Sequence, residues 1–132
     1  DAPEHENYAE LPLGKGRVVV YKDHPPDPET VAKDMLDLLE PGVMGLTAFN
    51  VPSVLTYVST GSSGRRALIQ LLNYATSPFN SRITLRLNGN FKAARLFTPE
   101  DAPLDLEARV LPNGRTEISI PKLAVWGAVL LD

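Results

Sequence analysis

Residues 104–120 run Leu104-Asp105-Leu106-Glu107-Ala108-Arg109-Val110-Leu111-Pro112-Asn113-Gly114-Arg115-Thr116-Glu117-Ile118-Ser119-Ile120. Leu104, Leu106, Ala108 and Val110 alternate with Asp105, Glu107 and Arg109, and Thr116, Ile118 and Ile120 alternate with Arg115, Glu117 and Ser119. A period of two is that of a strand with one face buried. Between the two runs, Asn113-Gly114 supplies the positive φ that a tight hairpin turn needs. Asn113 and Gly114 are therefore structural residues of an antiparallel hairpin.

The same grammar continues outward. Ile83, Leu85 and Leu87 alternate with Arg82, Thr84 and Arg86, and Val54–Ser59 and Arg66–Tyr74 flank the turn cluster Thr60-Gly61-Ser62-Ser63-Gly64. Phe91–Phe97 follows the turn signal Asn88-Gly89-Asn90, and Leu123–Leu131 is apolar on both faces, as in a strand covered on both sides. These runs make about seven strands from residue 53 to the end, at the spacing of a β-sandwich. Five of the 12 prolines (Pro78, Pro99, Pro103, Pro112, Pro121) fall between them, where a residue that cannot donate a ladder hydrogen bond belongs.

The front half differs. Arg17–Lys22 holds the β-branched run Val18-Val19-Val20 after the turn Gly14-Lys15-Gly16 and predicts a strand. Residues 28–40 predict one helix: Asp27 suits the N-cap, Pro28 the first helical position, and Val31, Met35, Leu38 and Leu39 form one apolar stripe before Pro41-Gly42 ends it. Residues 1–66 carry 10 acidic and 6 basic side chains and the remainder is nearly neutral. The expected architecture is mainly β: an antiparallel β-sandwich of about seven strands with an N-terminal strand and one packed α-helix. Residues 1–41 would be a strand-helix segment, the tail of a preceding α/β domain, and 42–132 the sandwich, together one compact unit.

Composition narrows the function classes. A chain of 132 residues with no Cys and a net charge of −3 needs no disulfide or thiolate metal staple. Its mild acidity argues against nucleic acid and anionic membrane as partners. No apolar run approaches the ~20 residues of a membrane span. The opening DAPEHENYAE has no secretion signal and no initiator Met, so the chain is expected to be a piece of a longer protein, and no compartment is assigned to it.

No catalytic, metal or cofactor constellation is legible. His24 sits between Asp23 and Asp27 without a second placed histidine, Ser62-Ser63 lies in a turn outside any G-x-S-x-G elbow, and Gly14-Lys15-Gly16 precedes a strand where phosphate loops follow one. Glu100-Asp101 is one loop, whereas glycosidase carboxyls face each other across a cleft. Arg65-Arg66 and the Arg82/Arg86 row suit ion pairs or a solvated face. Among nine aromatics, Tyr57, Tyr74 and Phe97 lie in apolar strands and are expected in the core, and Trp126 shares a packing face with Ala124, Ala128 and Leu130. Tyr8, Phe79 and Phe91 sit in tail or loop positions and are the candidates for contact with a ligand.

The run Arg65–Tyr74, closing on Leu71-Leu72-Asn73-Tyr74, resembles the strand with an "LLN(Y/H)" signature in C-terminal β-sandwich domains of glycoside hydrolases, of the β-galactosidase type with a glutamine-amidotransferase-like trimerisation domain before the sandwich. Ala94–Pro99, Ile120–Leu131 and the front Leu13–Val20 resemble further elements of that arrangement. In such proteins the catalytic carboxylates lie in a barrel outside this segment. The resemblance implies a non-catalytic accessory domain of a bacterial carbohydrate-active protein, not an enzyme by itself, bracing or orienting neighbouring domains of its parent chain. Asn73 and Tyr74 would then be a structural strand-end device. The alternative is a carbohydrate-binding module using exposed aromatics, and an oligomer is compatible with either.

Overall fold

The computed structural model describes residues 8–24, 27–38, 45–78 and 80–132. The chain divides into two compact units, the first ending at Leu38 and the second beginning at Leu39.

In the first unit, β1 (Tyr8–Leu13) and β2 (Gly16–Tyr21) form an antiparallel hairpin around Gly14, whose φ of 59° suits glycine. β1 is absent from the sequence expectation, which took Tyr8 for part of a polar tail, because Glu10 and Pro12 interrupt its apolar pattern. β2 confirms the valine run, and β1 covers one of its two edges. Tyr8 faces Tyr21 across the pair, ring centroids 5.9 Å apart in an edge-to-face arrangement.

Helix α1 (Pro28–Asp37) follows, with Asp27 as N-cap: its carboxylate accepts from the Glu29 N–H at 3.0 Å, the Thr30 N–H at 3.2 Å and the Thr30 hydroxyl at 2.7 Å. The hydroxyl bond is the largest reason that the Asp27 carboxyl is held below its ordinary range. The Tyr21 hydroxyl donates to the Asp34 carboxylate at 3.1 Å, tying hairpin to helix. The expected stop at Pro41-Gly42 lies outside the described residues.

The second unit is a sandwich of two antiparallel sheets. One has the order β3-β6-β10-β9, from Leu46–Phe49, Ile83–Asn88, Arg115–Ile120 and Ala108–Val110. The other has the order β4-β5-β11-β7-β8, from Val54–Thr60, Ala67–Asn73, Trp126–Leu131, Ala94–Phe97 and Leu104–Leu106. The 104–110 run, read as one strand, breaks at Glu107: β8 pairs with β7 in one sheet and β9 with β10 in the other. A strand that changes sheet makes a corner of the sandwich, and period-two alternation persists through it, which is why sequence alone showed no interruption.

The core lies between the sheets. Ile69, Leu71, Val129 and Leu131 come from the five-stranded sheet, and Ile83, Leu85, Leu87, Ile118 and Ile120 from the four-stranded one, all essentially solvent-free. Burying each such side chain contributes about 1.5–3 kcal/mol. Phe91, expected to be free in a loop, belongs to this core and is 3% exposed. A polar latch explains its position: the Phe91 N–H donates to Thr116 Oγ1 at 3.0 Å, and the Thr116 hydroxyl donates to the Gly89 carbonyl at 2.7 Å. Gly89 has a φ of 112°, and a Cβ there would stand 2.7 Å from the Phe91 ring.

Because Thr116 is fully buried, Thr116→Val leaves the Phe91 donor and the Gly89 acceptor unmatched at constant volume. Chemical denaturation is expected to show a loss of about 1–3 kcal/mol; an unchanged midpoint would remove the latch from the account.

Candidate functional site

Two of the three residues singled out for ligand contact are buried. Tyr8 and Phe91 are each 3% exposed, so neither offers a ring face to a ligand, and Phe79 lies outside the described residues. A turn-flanked aromatic need not be exposed: Phe91 is turned inward by the Thr116 latch, and Tyr8 meets Tyr21 edge-to-face. Asn73 and Tyr74 end β5. Asn73 is buried and fully engaged: its Oδ1 accepts from the Ser53 hydroxyl at 2.9 Å and the Ala75 N–H at 3.1 Å, while its Nδ2 donates to the Ser77 and Ala124 carbonyls at 3.0 and 2.9 Å. The exposed Tyr74 donates its hydroxyl to the Pro52 carbonyl at 2.9 Å. Asn113 and Gly114 turn the β9–β10 hairpin, with Gly114 at φ 76° and Asn113 Oδ1 accepting from the Arg115 N–H at 3.3 Å.

The structure instead draws attention to the outer face of the five-stranded sheet. Ile69, Leu71, Val129, Leu131 and Leu96 face the core, so the alternation of the strands sends their neighbours outward. Strand register assembles these into three rows. Leu55, Leu72 and Trp126 make the first; Tyr57, Gln70, Ala128 and Phe97 the second; Ser59, Leu68, Leu130 and Arg95 the third. Tyr57 is 67% exposed, Leu55 59% and Trp126 38%, with Leu72 and Phe97 also exposed. The expectation that Tyr57, Tyr74 and Phe97 fill the core is therefore corrected; Trp126 shares its face with Ala128 and Leu130, and that face is the outer one. β11 is apolar on both faces, as the sequence shows; on its second face Ala128 is buried and Trp126 is open to the surface.

Four strands at ~4.8 Å spacing, and three rows at ~6.8 Å, spread these side chains over about 14 Å on each side, with Gln70 and Ser59 among the apolar ones. On one border the Arg95 guanidinium bonds the Asp105 carboxylate at 2.6 Å. Each lifts the other's charged form: hydrogen bonding first, then charge, lowers the Asp105 carboxyl and raises Arg95. A largely apolar, aromatic face with this polar border can stack on a ring or pack against another apolar surface.

The outer side of the four-stranded sheet has the opposite character. Arg109, Glu117 and Arg86 lie opposite one another on β9, β10 and β6, with Arg86 Nε 2.7 Å and Arg109 Nη2 2.6 Å from the two Glu117 oxygens. The Arg86 guanidinium stands 5.7 Å from the centre of the Phe49 ring. Burial pushes the Glu117 carboxyl up, but the two arginines outweigh it and hold it below the ordinary range. Among the described residues no three His, Asp or Glu side chains cluster as a metal site. His24 and the Ser62-Ser63 pair are exposed, in a bend and a turn.

No protein-family model matches the sequence, and no curated protein matches it. Among solved structures the chain is similar to alpha-L-fucosidase isoenzyme 2 from Paenibacillus thiaminolyticus, with 16% identity and a TM-score of 0.48 over 67% of this chain. The match spans 15% of that enzyme's chain.

Two measurements check these assignments. Tyr57→Thr is expected to change stability by less than about 0.5 kcal/mol, whereas Ile69→Ala, one residue-face away, costs about 3 kcal/mol; similar losses for both would overturn the division into outer and inner faces. For Glu117, a carboxyl lowered in the folded state adds stability above its unfolded value of about 4.3 and loses it as pH falls through the folded one. Glu117→Gln should thus be less stable than the parent by about 2–3 kcal/mol at neutral pH, with the gap closing below about pH 4 in urea titrations.

Proposed function

We propose that the chain is a non-catalytic accessory module of a multidomain carbohydrate-active protein, and that the outer face of its five-stranded sheet is the surface by which it braces a neighbouring domain of the parent chain. One observation carries the proposal: Leu55, Tyr57, Leu72, Phe97 and Trp126 lie exposed on adjacent rows of one sheet. Exposed apolar side chains scattered singly are ordinary, whereas contiguous ones with a polar border are often where another surface docks. The aliphatic pair Leu55–Leu72 beside the aromatics favours packing against protein, and the resemblance of Arg65–Tyr74 to glycoside hydrolase sandwich strands supplies the kind of parent.

A carbohydrate-binding role is supported by a specific feature as well: Tyr57, Phe97 and Trp126 share that face, although they are not the aromatics that the sequence pointed to. Sugar rings stack on such side chains through their C–H faces.

The test expresses this chain and the remainder of its reading frame as separate polypeptides. Binding in trans is expected, weakened about tenfold or more by Tyr57→Asp or Trp126→Asp, since a charge facing an apolar partner is left unpaired. A reading frame with no further domain, or binding indifferent to both substitutions, would overturn the bracing role. Retention of the intact chain on polysaccharide gels, lost in Tyr57→Asp, would replace it with the sugar-binding one.

A further inference from the structure

A second feature lies away from the aromatic face, where the β7–β8 connection meets the segment leading into β11. Together with Pro78 and Asn80 from the β5–β6 connection, the two enclose a cup of about 320 Å³, at the lower end of the ~300–1,000 Å³ typical of small-molecule sites. Its apolar surface comes mainly from the exposed Leu104 and Pro121, set over the buried Leu96 and Leu123, all aliphatic. Its polar lining is mixed in kind: Glu100 and Asp101 bring carboxylates, Asn80 an amide and Lys122 an ammonium.

Lys122 Nζ and Asp101 Oδ2 are 2.9 Å apart, joining the two segments that form the cup. That bond leaves both groups with capacity. An ammonium has three donors and a carboxylate about four acceptor positions, and both side chains are more than half exposed, at 65% and 55%. The backbone of the loop is fixed as well, since the Asp101 N–H donates to Thr98 Oγ1 at 3.3 Å.

This chemistry selects among ligands. Two carboxylates against one ammonium disfavour an anion. A bare cation gains nothing from Leu96, Leu123, Leu104 and Pro121. A wholly apolar ligand would strip water from Asp101, Asn80 and Lys122 without replacing its bonds. What fits is a neutral ring with adjacent hydroxyls: each hydroxyl both donates and accepts, so a vicinal pair can span the Asp101 carboxylate and the Lys122 ammonium while the C–H face of the ring lies on the aliphatic lining. We infer that this cup is a binding site for a single pyranose unit, separate from the aromatic sheet face and independent of the role assigned to that face.

The experiment is an amide-resolved NMR titration of the whole chain with the methyl glycosides of glucose, galactose and xylose, and with cyclohexanol as an apolar ring of similar size. At least one glycoside is expected to give saturable shifts at residues 98–104 and 121–124, with a Kd of about millimolar order, as suits a ligand this small. Asp101→Ala and Lys122→Ala should each weaken binding about tenfold; both residues are exposed, and thermal unfolding monitors that the variants stay folded. The inference is overturned if no glycoside produces saturable shifts up to about 100 mM, if cyclohexanol moves the same amides as strongly, if the two variants bind as well as the parent, or if the saturable shifts arise at Tyr57 and Trp126. That last result would instead support the sugar-stacking role of the sheet face, so the two sites are told apart by where the shifts fall.

Discussion

The sandwich rests on the burial of two apolar strand faces against each other. Ile69, Leu71, Val129 and Leu131 on one side meet Ile83, Leu85, Leu87, Ile118 and Ile120 on the other, and the pleat of each strand then dictates where every other residue must point. The buried Asn73 amide and the Thr116 hydroxyl work within that constraint. They satisfy backbone groups at strand ends and turns that the apolar core would otherwise strand without water.

The same constraint produces the surface features. Once β5 and β11 commit Ile69, Leu71, Val129 and Leu131 to the core, Leu72 and Trp126 have no choice but the opposite face, where register brings Leu55, Tyr57 and Phe97 beside them. On the other sheet the outward positions are Arg86, Glu117 and Arg109, where both arginines pair with the one carboxylate. The two outer faces of one sandwich are therefore unlike: one is charged and internally paired, the other apolar and aromatic. Of these two faces, the apolar one suits a partner that buries apolar area.

The sandwich, the β9–β10 turn and the start of the helix were legible in the sequence because each rests on local chemistry: alternation, Asn113-Gly114, and Asp27-Pro28. Burial was less legible. Alternation in Leu104–Val110 is blind to the change of sheet at Glu107, since both halves keep the same period. β11 shows the larger difficulty. A strand apolar on both faces reads as covered twice, and only register reveals that the face with Trp126 is open. For Phe91, the deciding partner was Thr116, 25 residues away, a distance no local pattern spans. The signal for the aromatic face was present in Leu55, Tyr57, Leu72 and Trp126 as an excess of apolar residues at outward positions, but it becomes a surface only when four strands are aligned.

The central claim is that the outer face of the five-stranded sheet is covered in the working protein. Hydroxyl-radical footprinting of the isolated chain and of the intact parent protein tests it most directly. The account predicts that Leu55, Tyr57, Leu72, Phe97 and Trp126 are oxidised readily in the isolated chain and are protected together in the parent, while the exposed Tyr74 changes little. Equal oxidation of these five side chains in both forms would contradict it.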